Sequence, residues 1–237
     1  MQSMKRNSIE REGWWTTHKY SRRAVVDLQV ESFCGWQILL DMVEAANEKE
    51  RYTPHEFPYC SERDKALVAV TFETGGRLSE VVMLRKSMFT IGDEWITVEK
   101  MPLLKRYRKL KNGETRRTPT TRDFLFPRTE PLAPFVVQCV EEAQDYLFPS
   151  RYNRKNKHLG YCRAYQIICD LARRVNFNCW PHRLRSERAS MLGNQYKWSL
   201  EKILRFFYWK SASMGLRYSH SGLEDMKLSM PQIDYGV

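Results

Sequence analysis

The sequence predicts a mostly α-helical, α+β domain in which a small antiparallel β-sheet or hairpin insertion interrupts a series of helices. Three observations lead there. Apolar residues recur at helical spacing before residue 90 and again after residue 134. Between these stretches lies the most strand-like part of the chain, Trp95-Ile-Thr-Val98, which is β-branched and aromatic. Asn112-Gly113 then supplies the strongest short hairpin signal, because both residues tolerate the positive φ of a type I′ turn. With 237 residues, 42% hydrophobic and 13% aromatic, the chain has material for one generous domain or two small ones around a sizeable core. That composition excludes a disordered chain.

The elements follow in order. Val26, Val30, Phe33, Leu40 and Val43 predict a helix over about 25–48. The proline-marked stretch Arg51–Cys60 is a connector. Ser61-Glu-Arg-Asp64 resembles a capping box opening a helix that runs through Phe72, and Gly75-Gly76 breaks it. Leu78, Val81, Val82 and Arg85 begin a second short helix. A strand ending near Lys111 turns at Asn112-Gly113 and returns through Thr115–Thr120, and the run from Pro119 to Pro134 is loop. Helices are predicted over about 134–148 (Phe135, Cys139, Val140, Ala143, Leu147), 161–176 (Ala164, Ile168, Leu171, Val175) and 182–194. Ser199 caps one more, striped by Leu200, Ile203, Leu204 and Phe207.

Charge narrows the function. Lys plus Arg number 39 against 28 Asp plus Glu, a net charge of +11. Such a balance points to a polyanion, nucleic acid before an anionic membrane surface. The excess is concentrated: residues 100–122 hold nine basic residues and one acid, and residues 151–188 hold ten against two. Residues 1–50 are nearly neutral, with seven basic and eight acidic residues, so a site belongs to the later part of the chain. The longest unbroken apolar run, Ala66–Val70, falls far short of the roughly 20 residues of a membrane span. The N-terminus has no apolar h-region, so it does not read as a secretory signal. The six cysteines form no CxxC pair, which argues for buried free thiols over a zinc module or disulfide framework.

Three motifs carry chemistry. Thr74-Gly-Gly-Arg77-Leu-Ser-Glu80 sets an arginine after a glycine turn at a helix start, where backbone N–H groups and a guanidinium converge on an anion. Alone, a helix-start arginine is more often a solvated surface residue. Pro181-His182-Arg-Leu-Arg185 puts an imidazole and a guanidinium three apart on one helix, so one can handle a proton near an anion the other holds. Alone, it reads as a surface histidine in an arginine-rich helix. Trp209 is followed nine residues later by Tyr218, pairing a pure hydrogen-bond donor with a potential nucleophile toward phosphorus. Alone, both are ordinary core aromatics.

In this order, with a polar hairpin lysine between the first two motifs, the set resembles the catalytic domain of tyrosine recombinases, the phage integrase family. That family's pattern is Arg, Lys, His-x-x-Arg, His or Trp, and Tyr, and the resemblance covers about Tyr52 to Tyr218. It implies Arg77 and Arg185 as the clamp arginines, His182 as the histidine of the His-x-x-Arg pair, Trp209 at the His-or-Trp position and Tyr218 as the nucleophile. Glu80 matches the acidic residue that supports the first arginine. The family's lysine typically lies eight residues before a strand proline; counting back from Pro119 gives Lys111, with Lys109 the alternative on the same strand face. Tyr208 and Tyr235 lack the spacing of the nucleophile.

The resemblance further implies a site-specific recombinase or integrase that cleaves and rejoins DNA through a 3′-phosphotyrosyl intermediate, with no cofactor or metal. Its partners would be double-stranded DNA and further copies of the chain, as a homodimer or tetramer on DNA. The expected setting is cytoplasmic and DNA-associated, of prokaryotic or viral origin, with no membrane. The domains expected are 1–50 as a reduced N-terminal helical segment, 51–218 as the catalytic domain and 219–237 as a tail. Leu223, Met226 and Leu228 are the tail's candidate docking stripe against a neighbouring protomer. Two departures stand out. Arg188 occupies a position where the family usually has an apolar or aromatic residue, and about 50 residues precede the match, roughly half of a separate DNA-binding domain. Two alternatives stay open: type IB topoisomerase-like relaxation of DNA, which uses the same chemistry, and a non-catalytic DNA-binding protein on a recombinase scaffold.

Overall fold

In the computed structural model, which describes residues 33–48, 59–104, 107–109, 115–117, 120–150, 158–216 and 218, helix α2 (Tyr59–Thr74) is the axis of the fold. Every residue from Ala66 to Gly76 is buried, so α2 is covered all round rather than along one stripe. It packs against α1 (Trp36–Glu44), α4 (Ala133–Glu142), α5 (Tyr161–Arg174) and α6 (Pro181–Asn194). The predicted capping box at Ser61 does not form, because the helix is already under way at Tyr59. The Ser61 hydroxyl instead donates to the Ala46 carbonyl at 2.7 Å, tying α2 to the turn after α1. Among the described residues the first helix begins at Trp36, after Gly35 at φ 96°, and residues 25–32 of the predicted helix lie outside them.

After α2 the chain turns at Gly75 and forms α3 (Leu78–Val81), shorter than the predicted run to Arg85. The backbone of Leu84–Lys86 is used elsewhere: Leu147 N–H bonds the Leu84 carbonyl, Lys86 N–H bonds the Asp145 carbonyl, and Arg85 bridges Tyr146. The same pairing ends α4 at Glu142, six residues before its predicted limit.

The β insertion is a three-stranded antiparallel sheet in the order β1 (Phe89–Ile91), β2 (Trp95–Pro102), β5 (Thr121–Pro127). Ile96 faces Phe126 and Val98 faces Phe124; the register then shifts around Lys100 (φ 55°), whose N–H bonds Asp123 Oδ1 at 2.6 Å. That irregularity sets Met101 opposite Arg122. The prediction of loop over 119–134 is thereby corrected. Thr121–Pro127 alternates exposed and buried residues with Arg122, Phe124 and Phe126 inward, a period of two that the flanking prolines disguised. The predicted hairpin is present as β3 (Tyr107–Lys109) paired with β4 (Thr115–Arg117), Lys109 opposite Thr115. Its Asn-Gly turn lies outside the described residues.

The second half is helical as predicted. α5 turns Ala164, Ile167, Ile168 and Leu171 inward, and α7 (Leu200–Phe207) is capped by Ser199, whose hydroxyl accepts the Lys202 N–H. A short α8 (Ala212–Gly215) leads to Tyr218. The six cysteines are free thiols, and among the described residues no helix is long and apolar enough to cross a membrane. The tail 219–237, with Tyr235 and its candidate stripe, lies outside the described residues.

Candidate active site

The site is built on the turn that ends α2. Thr74 Oγ1 donates to the Val70 carbonyl at 2.6 Å and accepts the Gly76 N–H at 3.1 Å, closing the helix end. Gly75 adopts φ +53°, and a Cβ there would lie 2.4 Å from Phe207 Cε1. A Cβ on Gly76 would lie 2.3 Å from Met101 Cε. Two glycines thus let the backbone pass between the sheet and α7 with no side chain intervening. Arg77 emerges from this turn. Glu80, 0% exposed, accepts the Arg77 N–H at 3.0 Å and its guanidinium at 2.9 Å, and accepts the Leu104 N–H at 3.3 Å. Glu80 therefore fixes Arg77 to α3 and to the segment leading into the β3–β4 hairpin.

Arg185 reaches the same turn from α6. Pro181 at the first helical position starts this helix, and Arg185, one turn on, is 2% exposed. Its Nη1 donates to the Gly75 carbonyl and its Nη2 to the Phe207 carbonyl at 3.3 Å, while the guanidinium lies over the rings of Phe207 (4.8 Å) and Trp209 (5.4 Å). Burial lowers its pKa to about 9, and the positive charges of Arg122 and Arg77 add to the shift. The group remains a cation at neutral pH in surplus positive potential.

The aromatic side of the site depends on how α7 ends. Tyr208 takes a left-handed conformation (φ 54°, ψ 42°), and Trp209 N–H returns to the Leu204 carbonyl at 2.8 Å. The Trp209 ring consequently stacks between Phe207 (centroids 4.5 Å, planes 16° apart) and Tyr218 (5.6 Å, 28°). Tyr218 is half-buried; its hydroxyl donates to Ser186 Oγ at 3.1 Å, one residue beyond Arg185. Its carbonyl lies so close to α6 that a Cβ on Gly193 would meet it at 1.8 Å.

The sequence-predicted residues thus separate into groups. Arg77, Glu80, Arg185, Trp209 and Tyr218 converge, although they span 142 positions of sequence. His182 is exposed in the first turn of α6, and its carbonyl accepts the Ser186 hydroxyl at 3.3 Å. Lys109 ends β3, and Lys111 lies outside the described residues. Tyr208 is exposed at the helix end. Sequence reasoning missed Arg122, 3% exposed on β5, Ser186 and Gly193. An arginine in the inward register of an alternating strand was the available signal for the first; the others are defined only by tertiary contact. Arg188, the departure from the family pattern, is 1% exposed and pairs with the buried carboxylates of Glu73 (2.9 Å) and Glu130. Arg188 therefore lies between two buried acids, and its position holds a polar cluster instead of an apolar side chain.

Arg77, Arg122 and Arg185 all act on one another electrostatically, with Glu80 the carboxylate that reaches them. Three cations against one carboxylate leave a net positive site suited to an anion. A cavity of about 820 Å³ lies elsewhere, between α2 and the end of α4 against Glu62, Arg63, Phe135 and Cys139. Of the convergent groups, Arg77, Trp209 and Tyr218 are partly exposed, while Glu80 and Arg185 are buried.

Comparison with known proteins identifies the family and the fold. The sequence model of the phage integrase family matches residues 42–224. No curated protein sequence matches the chain significantly. Among solved structures, the XerH site-specific recombinase bound to its difH substrate in a pre-cleavage complex superposes with a TM-score of 0.57 at 16% identity, covering 84% of this chain and 53% of that one. The XerA recombinase gives 0.53 at 16% identity, over 84% and 62% of the two chains. The Tn1549 transposon integrase with transposon right-end DNA gives 0.52 at 13% identity, over 80% and 61%. At these identities the likeness is one of fold, and the chain spans between half and two thirds of the length of these structures.

Proposed function

The chain belongs to the phage integrase family of tyrosine recombinases, and from that premise we propose that it cleaves and rejoins double-stranded DNA at specific sites through a 3′-phosphotyrosyl link to Tyr218. The observation that carries the proposal is the charge balance just described: Arg77, Arg122 and Arg185 around one carboxylate, beside a tyrosine stacked on a tryptophan.

Phosphoryl transfer asks a protein mainly for positioning and for stabilisation of charge. The Tyr218 oxygen attacks the scissile phosphorus in line as its proton leaves, with His182 assisting that loss or orienting the phosphate. Arg77 and Arg185 bond the non-bridging oxygens, where charge grows in the pentacoordinate transition state. The Trp209 indole N–H adds a donor that cannot compete for a proton. Lys111, or Lys109 in its place, protonates the departing 5′ oxygen as the P–O5′ bond breaks. The phosphotyrosyl bond conserves the energy of the phosphodiester, so a 5′ hydroxyl can reverse the step without ATP, and the scheme assigns no step to a metal. Dimers or tetramers on DNA would bring the paired strands together, in a cytoplasmic, DNA-associated setting.

The test uses a nicked duplex whose 5′ fragment diffuses away on cleavage, built from sequences flanking the gene, in the presence of EDTA. Wild-type protein should yield a covalent protein–DNA band, and Tyr218→Phe should bind the duplex without forming it. An adduct from Tyr218→Phe would remove Tyr218 as nucleophile. A wild-type protein that binds and never forms an adduct would favour a non-catalytic DNA-binding role.

A further inference from the structure

The buried arginine on β5 has no place in the scheme above, yet it holds the same two stretches of backbone as Arg185. Arg122 Nη2 donates to the Thr74 carbonyl and Nη1 to the Phe206 carbonyl, each at 2.5 Å. Arg185 donates to the carbonyls one residue further on in both stretches, Gly75 and Phe207. The first stretch leads within three residues to Arg77 and the second to Trp209. We propose that Arg122 is a positioning residue for strand cleavage, a cross-link that fixes the Thr74–Arg77 and Phe206–Trp209 backbones in register so that both clamp arginines face one phosphate. This inference rests on the recombinase reading.

The chemistry of the side chain supports it. A guanidinium is a rigid planar fork that can bond two carbonyls at a set angle, whereas an ammonium is a point donor on a flexible stem. Arg122 is 3% exposed, and among the described residues it makes no ion pair. Its surroundings are two carbonyls, Met101 Sδ at 3.3 Å, and the rings of Phe124 (4.5 Å) and Phe206 (5.6 Å). Burying a cation whose hydrogen-bond partners are all neutral is costly even with the Glu80 charge acting on it, and an apolar side chain would fill an inward strand position without that cost. What an apolar side chain cannot do is hold both carbonyls. Losing the bridge frees Thr74 and Phe206 while the Arg185 bridge remains, so the two segments can shift about a shared pivot. A displacement on the order of 1 Å at a reacting centre lowers rates by roughly a hundredfold.

The experiment compares wild type, Arg122→Met and Arg122→Lys on the nicked duplex at saturating protein, alongside DNA affinity and thermal unfolding. A second duplex carries a neutral methylphosphonate at the scissile position, which removes the charge the clamp arginines neutralise. Arg122→Met should cleave the phosphate duplex roughly a hundredfold more slowly with affinity little changed, and Arg122→Lys should recover part of the loss. On the methylphosphonate duplex the deficit should shrink to several-fold. Arg122→Met cleaving the phosphate duplex within about threefold of wild type would overturn the proposal. So would equal deficits on both duplexes, the mark of general structural damage. If Arg122→Met does not fold, the same comparison of duplexes is read from Arg122→Lys. A wild type that binds but never forms an adduct overturns the recombinase reading and this assignment together; an active wild type with an unimpaired variant overturns the assignment alone.

Discussion

Gly193 gives the sharpest test of how the nucleophile is held. It lies near the end of α6, and a Cβ there would sit 1.8 Å from the Tyr218 carbonyl oxygen and 2.9 Å from its carbonyl carbon. Side-chain Cβ atoms do not approach other heavy atoms closer than 3.0 Å, so Gly193→Ala must drive α6 and the Tyr218 backbone apart by at least 1.2 Å. The obstacle is backbone and cannot rotate away as a side chain would. The stability effects oppose each other: alanine favours the helix by about 1 kcal/mol over glycine, and relieving the clash costs about 1–3 kcal/mol. Net unfolding should move by about 2 kcal/mol or less. Catalysis has no such offset. Moving Tyr218 by more than 1 Å disturbs its stacking on Trp209 and its hydrogen bond to Ser186, and cleavage should fall roughly a hundredfold. The assay is single-turnover adduct formation on the nicked duplex, with DNA affinity and thermal unfolding measured in parallel. Wild-type cleavage rates from a folded Gly193→Ala protein would refute the account of Tyr218 resting against α6.

Further expectations follow from the same geometry. Arg185→Ala should reduce adduct formation by at least 10²–10³-fold, the loss of one strong transition-state donor; near-wild-type cleavage would remove it from the site. Lys111→Ala should recover on a duplex with a 5′-bridging phosphorothiolate, whose leaving group needs no proton, and failure to recover would transfer the role to Lys109. Glu73 is held well above the ordinary carboxylate range, first by its burial, against which Arg188 acts, and then by Glu130. The folded protein therefore retains a proton that the unfolded chain releases. Stability is fully present below the ordinary carboxylate pKa and declines as pH rises toward the folded value, by about 1.4 kcal/mol per pH unit. Glu73→Gln should flatten that decline in thermal unfolding measured across pH, and an unchanged slope would contradict the protonated state.

Much of this protein is legible in the amino-acid order because the signals are local. Glycines after a helix, a proline at a helix start, Asn-Gly between polar strands and apolar stripes at helical period each depend on a few neighbouring residues. They were sufficient to find α5, α6, α7 and the β3–β4 hairpin, while the resemblance to the tyrosine recombinases singled out Arg77, Glu80, Arg185, Trp209 and Tyr218, which the fold brings together. Signals that conflicted locally were misread. The prolines around Thr121–Pro127 outweighed its alternation, and Ser61 resembled a cap although its partner is the Ala46 carbonyl.

The sequence by itself determined the class of fold and the basic character, which depend on composition and period, and its resemblance to the tyrosine recombinases supplied the ordered set of candidate site residues. Only the tertiary structure decided which carbonyls Arg122 and Arg185 bond, that Arg188 lies between two buried acids, and that Gly193 must lack a side chain for Tyr218 to lie against it. Arg122 and Phe206 are 84 residues apart and Arg185 and Gly75 are 110 apart. No local pattern encodes such a pairing. It arises when separate elements pack densely and a buried donor is stabilised by an acceptor at the place where the fold has put one.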